Sequence, residues 1–118
     1  MSAHQSRSQR SAPPTPVDVS LFEENGAYIL RSQDGMALYR YDLDVNGQSH
    51  CIDACSRNWP PLIASAGATR VVGEWQTIAR GAARQWTFRG HPVYTCAQDS
   101  PGVAKGDGID GVWHLISP

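Results

Sequence analysis

The sequence contains no apolar stretch approaching the ~20 residues that a membrane-spanning helix needs. It also has no basic stripe. Ten Lys and Arg and eleven Asp and Glu are mixed along 118 residues, for a net charge of -1. That balance argues against nucleic acid or an anionic membrane surface as the main partner. Arg7 and Arg10 are followed by no apolar run, so an intact secretory signal is missing. Either the protein is cytoplasmic or a signal has been removed. Cysteine is scarce: three residues, an odd count, leave one thiol over unless chains pair. A Cys-x-x-Cys-His motif is absent, which disfavours covalent haem. So are a nucleophile elbow and a metalloprotease helix. Gly106-x-Gly108-x-x-Gly111 formally matches a dinucleotide fingerprint but lacks the strand-turn-helix context. No catalytic residue is assigned, and an enzyme is the less favoured class.

What is present points to strands and turns. Hydrophobic residues make up 41% and charged residues 18%, enough for a packed core in one domain. A core this small benefits from a cross-link or a bound ion. Four Trp, four Tyr and eleven Gly, with few helix-forming stretches, favour an all-β domain with one short helical segment. Residues 1–19, rich in Ser, Gln and Arg and then Ala12-Pro13-Pro14-Thr15-Pro16, read as a disordered tail or linker. Residues 20–118 form the folded domain. Ala27 to Arg31 reads as a strand turning at Asp34-Gly35 into Met36 to Tyr41. Cys51 to Asn58 suits a helical turn or two, stopped at Trp59-Pro60-Pro61. Glu74 to Ala79, Gln85 to Arg89, Val93 to Cys96 and Val112 to Ile116 are further strand candidates.

Two halves repeat, over approximately 27–63 and 75–116. Gly35, Leu38, Tyr39, Asp44 and Gly47 have the same mutual spacing as Gly90, Val93, Tyr94, Asp99 and Gly102. Each half closes on a tryptophan before apolar residues, Trp59 in the first and Trp113 in the second. Neither unit can bury its face alone, so the two are expected to pack about a pseudo-twofold as a small sandwich or barrel. Glycine serves turns there, Asp caps them, and the rings (Tyr39, Tyr41, Trp59, Trp86, Tyr94, Trp113) fill the core.

Tyr39-Arg40-Tyr41-Asp42-Leu43-Asp44 fits the motif Tyr-x-(Phe/Trp/Tyr)-x-x-Asp. Cys51-x₃-Cys55, Asn58-Trp59-Pro60-Pro61, Gln85-Trp86, Gly90-x-Pro92-Val93-Tyr94, Gly106-Asp107-Gly108 and Gly111-Val112-Trp113-His114 extend the match. Together they resemble the bacterial secreted-repeat lipoproteins, a family of unassigned function, from about Phe22 to Ser117. The resemblance implies a periplasmic or secreted location and carries no catalytic residues. The chain lacks the lipid-bearing Cys through which membrane attachment would run. In the second half Cys96 stands where the motif has an aromatic, the position of Tyr41.

Cys51 and Cys55, four apart, would sit about 6 Å apart on a helical turn, within disulfide range. For an exported domain with a small core a disulfide is the favoured reading. The competing reading is a soft-metal or thiol-redox site, built from Cys51, Cys55 and Cys96 with His50, His91 or His114; copper suits thiolate and imidazole. Cys96 is either a buried small hydrophobe or a partner for one of the other two. Asp42, Asp44 and Asn46, with Gly47 and then Asp53, fit a partial calcium loop. A solvated acidic turn is the plainer account. The function expected is therefore a non-enzymatic binding or interaction domain of the cell envelope, for an unidentified partner or small ligand. A periplasmic copper-binding or thiol-redox protein is the alternative.

Overall fold

The computed structural model describes residues 12–118. Residues 1–11, most of the expected tail, lie outside the described residues. Among the described residues seven strands and one short helix follow in order: β1 Val19–Glu24, β2 Ala27–Ser32, β3 Tyr39–Tyr41, α1 Ala54–Asn58, β4 Trp75–Arg80, β5 Ala83–Phe88, β6 His91–Pro92 and β7 Trp113–Leu115. A 3₁₀ turn, Ile109–Gly111, precedes β7. The strands make small sheets (β1-β2, β3-β7 and β4-β5-β6), and no closed barrel forms among the described residues.

Each half starts with an antiparallel hairpin. β1 and β2 pair in register Leu21↔Leu30, and β4 and β5 pair in the equivalent register Thr77↔Trp86. Asn25 and Gly26 both take positive φ, which a two-residue turn of the primed type requires. Arg89 and Gly90 do the same between β5 and β6. The Asp34-Gly35 turn folds back only far enough for Arg31 to bridge Ala37, so the strand expected over Met36 to Tyr41 shortens to β3.

The centre of the molecule is a crossing of the halves. Tyr39 N–H donates to Tyr94 O at 2.8 Å and Tyr94 N–H donates to Tyr39 O at 2.9 Å, a reciprocal pair that marks the pseudo-twofold. Outside it, β3 pairs with β7, placing Tyr39 opposite Leu115 and Tyr41 opposite Trp113. On the other side Tyr94 bridges Pro61, Thr95 N–H donates to Pro60 O, and Ala97 N–H donates to Asn58 O. The motif strand of each half is thus bonded to the closing segment of the other. The halves exchange strands rather than stacking as finished units.

Two clusters fill the interior. One gathers Val19, Leu30, Leu38, Leu62, Trp75, Trp86, Phe88 and Val93 between the hairpins. The other gathers Ala37, Tyr39, Cys51, Trp59, Tyr94, Cys96 and Trp113 around the crossing. Trp86 lies with Trp75 in the first cluster, apart from the other five rings of the expected aromatic set. Asp18 fastens the start of β1 onto the second half: Trp86 Nε1 donates to its carboxylate at 2.8 Å, as does Ser65 N–H at 2.8 Å, and the Ser65 hydroxyl donates as well.

Candidate functional site

The crossing brings the repeated Tyr and Asp side chains together in pairs, each pair spanning the halves. Tyr39 Oη donates to Asp99 Oδ2 at 2.6 Å, and Tyr94 Oη donates to Asp44 Oδ2 at 2.8 Å. The second oxygen of each Asp holds its own loop. Asp44 Oδ1 accepts His50 N–H at 2.6 Å and Asp99 Oδ1 accepts Lys105 N–H at 2.8 Å. Burial first, and then the adjacent Asp99, pushes the Tyr39 phenol well above its ordinary value. Burial does the same to Tyr94, reinforced by Asp44. Burial likewise raises Asp44 against the hydrogen bonds it accepts. A phenol held protonated against a carboxylate it already bonds is a fastening, not an acid-base catalyst poised near neutral pH.

The surroundings of the two fastenings differ. Arg80 Nη1 donates to Ser49 Oγ at 2.7 Å and to Gln85 Oε1 at 3.1 Å, and its Nη2 donates to Cys51 O at 2.7 Å. With Tyr94 giving its proton to Asp44, Ser49 gives its own to Tyr94 at 2.6 Å. A polar chain therefore runs from Arg80 to Asp44. In the first half the Tyr39 hydroxyl instead accepts Gly106 N–H at 2.9 Å. A Cβ on Gly106 would lie 2.7 Å from Trp59 Cη2 and 2.9 Å from the Tyr39 ring, so only glycine lets the backbone come this close. Ile29 and Ala104 occupy, beside the Tyr39–Asp99 pair, the places that Gln85 and Ser49 hold beside Tyr94–Asp44, following the hairpin register and the repeat spacing.

An aromatic column crosses the centre. Trp59 and Trp113 stack at 3.8 Å and 5°, Tyr41 stacks on Trp113 at 4.2 Å, and Tyr39 and Tyr94 meet the tryptophans edge-on at 5.2 Å. All but Tyr41 are buried.

Cys51 and Cys55 form a disulfide, with Cα atoms 5.1 Å apart, tying the loop before α1 to the helix. Their sulfurs are bonded to one another and offer no thiolates to a metal. Cys96 is a free, buried thiol, pushed above its ordinary pKa by burial, and pairs with neither. His50 follows the Asp44 turn, His91 opens β6, and His114 Nε2 meets Asp42 Oδ2 at 2.7 Å. Asp42 also accepts Arg40 Nη1 at 2.7 Å; the His114 bond, then the Arg40 bond and charge, hold its carboxyl below the ordinary value. Both Asp44 oxygens already accept hydrogen bonds, from His50 N–H and from the Tyr94 hydroxyl. Asn46 and Asp53 each take positive φ in turns. Among the described residues no three His, Cys, Asp or Glu side chains converge on a metal-sized site.

Sequence reasoning passed over Arg80, Ser49 and Asp18, and named Gln85 only as a strand and motif residue. None belongs to a repeated position with its partner, so spacing alone gives no cue. The Asn25-Gly26 turn, by contrast, is a readable hairpin signal that marks β1.

A family described as a secreted repeat of unknown function matches the chain twice, over residues 24–63 and 77–117. No curated protein and no solved structure matches the chain. No described helix is long and apolar enough to cross a membrane.

Proposed function

Because the chain belongs to the family of secreted repeats of unknown function, we propose that it is an extracytoplasmic, non-enzymatic binding domain of the cell envelope. One observation carries this reading: the side chains able to do chemistry at the centre are engaged with one another. Each Tyr hydroxyl is committed to the Asp of the opposite half, and each Asp to its own loop. The repeat is scaffold, and binding belongs where the halves differ. A disulfide in a small domain agrees with an oxidising compartment outside the cytoplasm.

Cell fractionation with mass spectrometry of the non-reduced protein tests the reading. The protein is expected in the periplasmic or secreted fraction, with Cys51 and Cys55 oxidised and one alkylatable thiol after unfolding. Recovery from the cytoplasm with three reduced thiols, or with stoichiometric copper, overturns it.

A further inference from the structure

Two arginines flank the turn between β4 and β5, and both are fixed by neutral acceptors. Arg80 gives its guanidinium hydrogens to Ser49 Oγ, Gln85 Oε1 and Cys51 O. Arg84 reaches back across the hairpin, where its Nε donates to Thr77 Oγ1 at 2.7 Å and its Nη2 to Thr77 O at 3.0 Å. Of the five donors on a guanidinium, Arg80 spends three and Arg84 two, so each keeps N–H groups to give. Among the described residues no carboxylate lies within ion-pair distance of either. Residues 1–11 contain no Asp or Glu. Asp44 stands at the far end of the polar chain, behind Ser49 and Tyr94.

Both arginines line one hollow of about 670 Å³ between β4 and the segment before α1. Ile52, Ile78 and Ala79 supply its apolar wall, and among the described residues no carboxylate side chain lines it. Ile52 is left 57% exposed beside the two cations. The first half has no such pair: the register that sets Ile29 against Gln85 sets Glu24 against Arg80. The hollow is thus a place where the repeat breaks its symmetry in charge.

We infer that this hollow binds a small organic carboxylate, its head on Arg80 and Arg84 and a short apolar body against Ile52 and Ile78. A guanidinium offers parallel N–H groups that match the two oxygens of a carboxylate. Side chains already held in place lose little freedom when the ligand arrives. An inorganic oxyanion would use the cations but leave the apolar wall bare, so an organic acid fits both parts of the lining. The inference rests on the binding reading above and names its site and ligand class. An exported, oxidised protein that binds no carboxylate would keep that reading and lose this site.

The test titrates the full ¹⁵N-labelled chain with 3-methylbutyrate, its neutral amide, acetate and inorganic phosphate at matched ionic strength, followed by amide shifts. Saturable shifts with 3-methylbutyrate are expected, confined to segments 48–52 and 77–81 and to Arg84. The neutral amide should give none, and acetate, lacking the apolar body, should bind about tenfold more weakly. Arg84→Gln should weaken 3-methylbutyrate about tenfold. Arg57→Gln, which removes an exposed charge on α1 outside the hollow, should leave it unchanged. Should R84Q unfold, the comparison of carboxylate with amide on the parent protein decides. The inference is overturned if no shift saturates, if the neutral amide binds equally well, or if R57Q weakens binding as much as R84Q. Phosphate binding as tightly as 3-methylbutyrate also overturns it, since the apolar wall would then play no part.

Discussion

Tyr39 and Tyr94 are each fully buried, and each places its one polar atom against a carboxylate from the other half. Truncating either to Phe removes a charge-assisted bond, and Y39F or Y94F should each cost about 1.5–3 kcal/mol in urea denaturation. Both phenols are held protonated above their ordinary value near 10. The folded-state pKa lies above the unfolded one, so this stabilisation is present in full below pH 10 and is lost as pH rises beyond it. An ultraviolet titration should show these two tyrosines ionising together with loss of far-ultraviolet dichroism. Ionisation of all four tyrosines with the fold intact would contradict the assignment. Gly106→Ala should cost about 1–3 kcal/mol, since its methyl group meets two rings that have nowhere to go. At this scale the sequence displays the repeated Tyr and Asp but not their pairing. Spacing within one half says nothing about which half supplies the partner.

Among the elements, β1 depends on Asp18. Its carboxyl sits below the ordinary value: burial alone would raise it, but the hydrogen bonds from Ser65 and Trp86 outweigh burial. The stability it adds is therefore present above the unfolded value near 3.8 and is lost as pH falls through the folded one. Asp18→Asn should lower the urea midpoint at neutral pH, and the gap from the parent protein should close in acid. A gap that persists unchanged in acid would argue against the ionised contact. The disulfide closes a short loop, so replacing Cys51 and Cys55 with Ala should cost about 2 kcal/mol while leaving the strands in place. The hairpin strands of the second half, α1 and β7 were legible because alternation, a proline stop and a tryptophan-apolar ending are local features. β1 was missed although the Asn25-Gly26 turn marks it: its few apolar residues, Val19, Leu21 and Phe22, directly follow a proline-rich lead-in that reads as a tail. Trp75 was absent from the expected core set, yet it is 1% exposed and packs on Trp86 and Phe88.

For the molecule as a whole, the repeat reveals two related units but conceals that they are interlocked. A pattern of Gly, Tyr, Asp and Trp is identical whether each closing strand returns to its own half or crosses to the other. The crossing follows from the backbone: β3 bonds β7, Tyr94 bridges Pro61, and Tyr39 and Tyr94 exchange both their amide hydrogen bonds. The halves differ in what surrounds the crossing, through the Cys51–Cys55 disulfide and the Arg80 chain. The direct test is to produce residues 1–66 and 67–118 as separate chains and record their dichroism and amide spectra alone and mixed. Exchange predicts that each is unfolded by itself and that a one-to-one mixture regains the spectrum of the intact protein. A half that folds alone, with its own closing strand paired to its own motif strand, would contradict it.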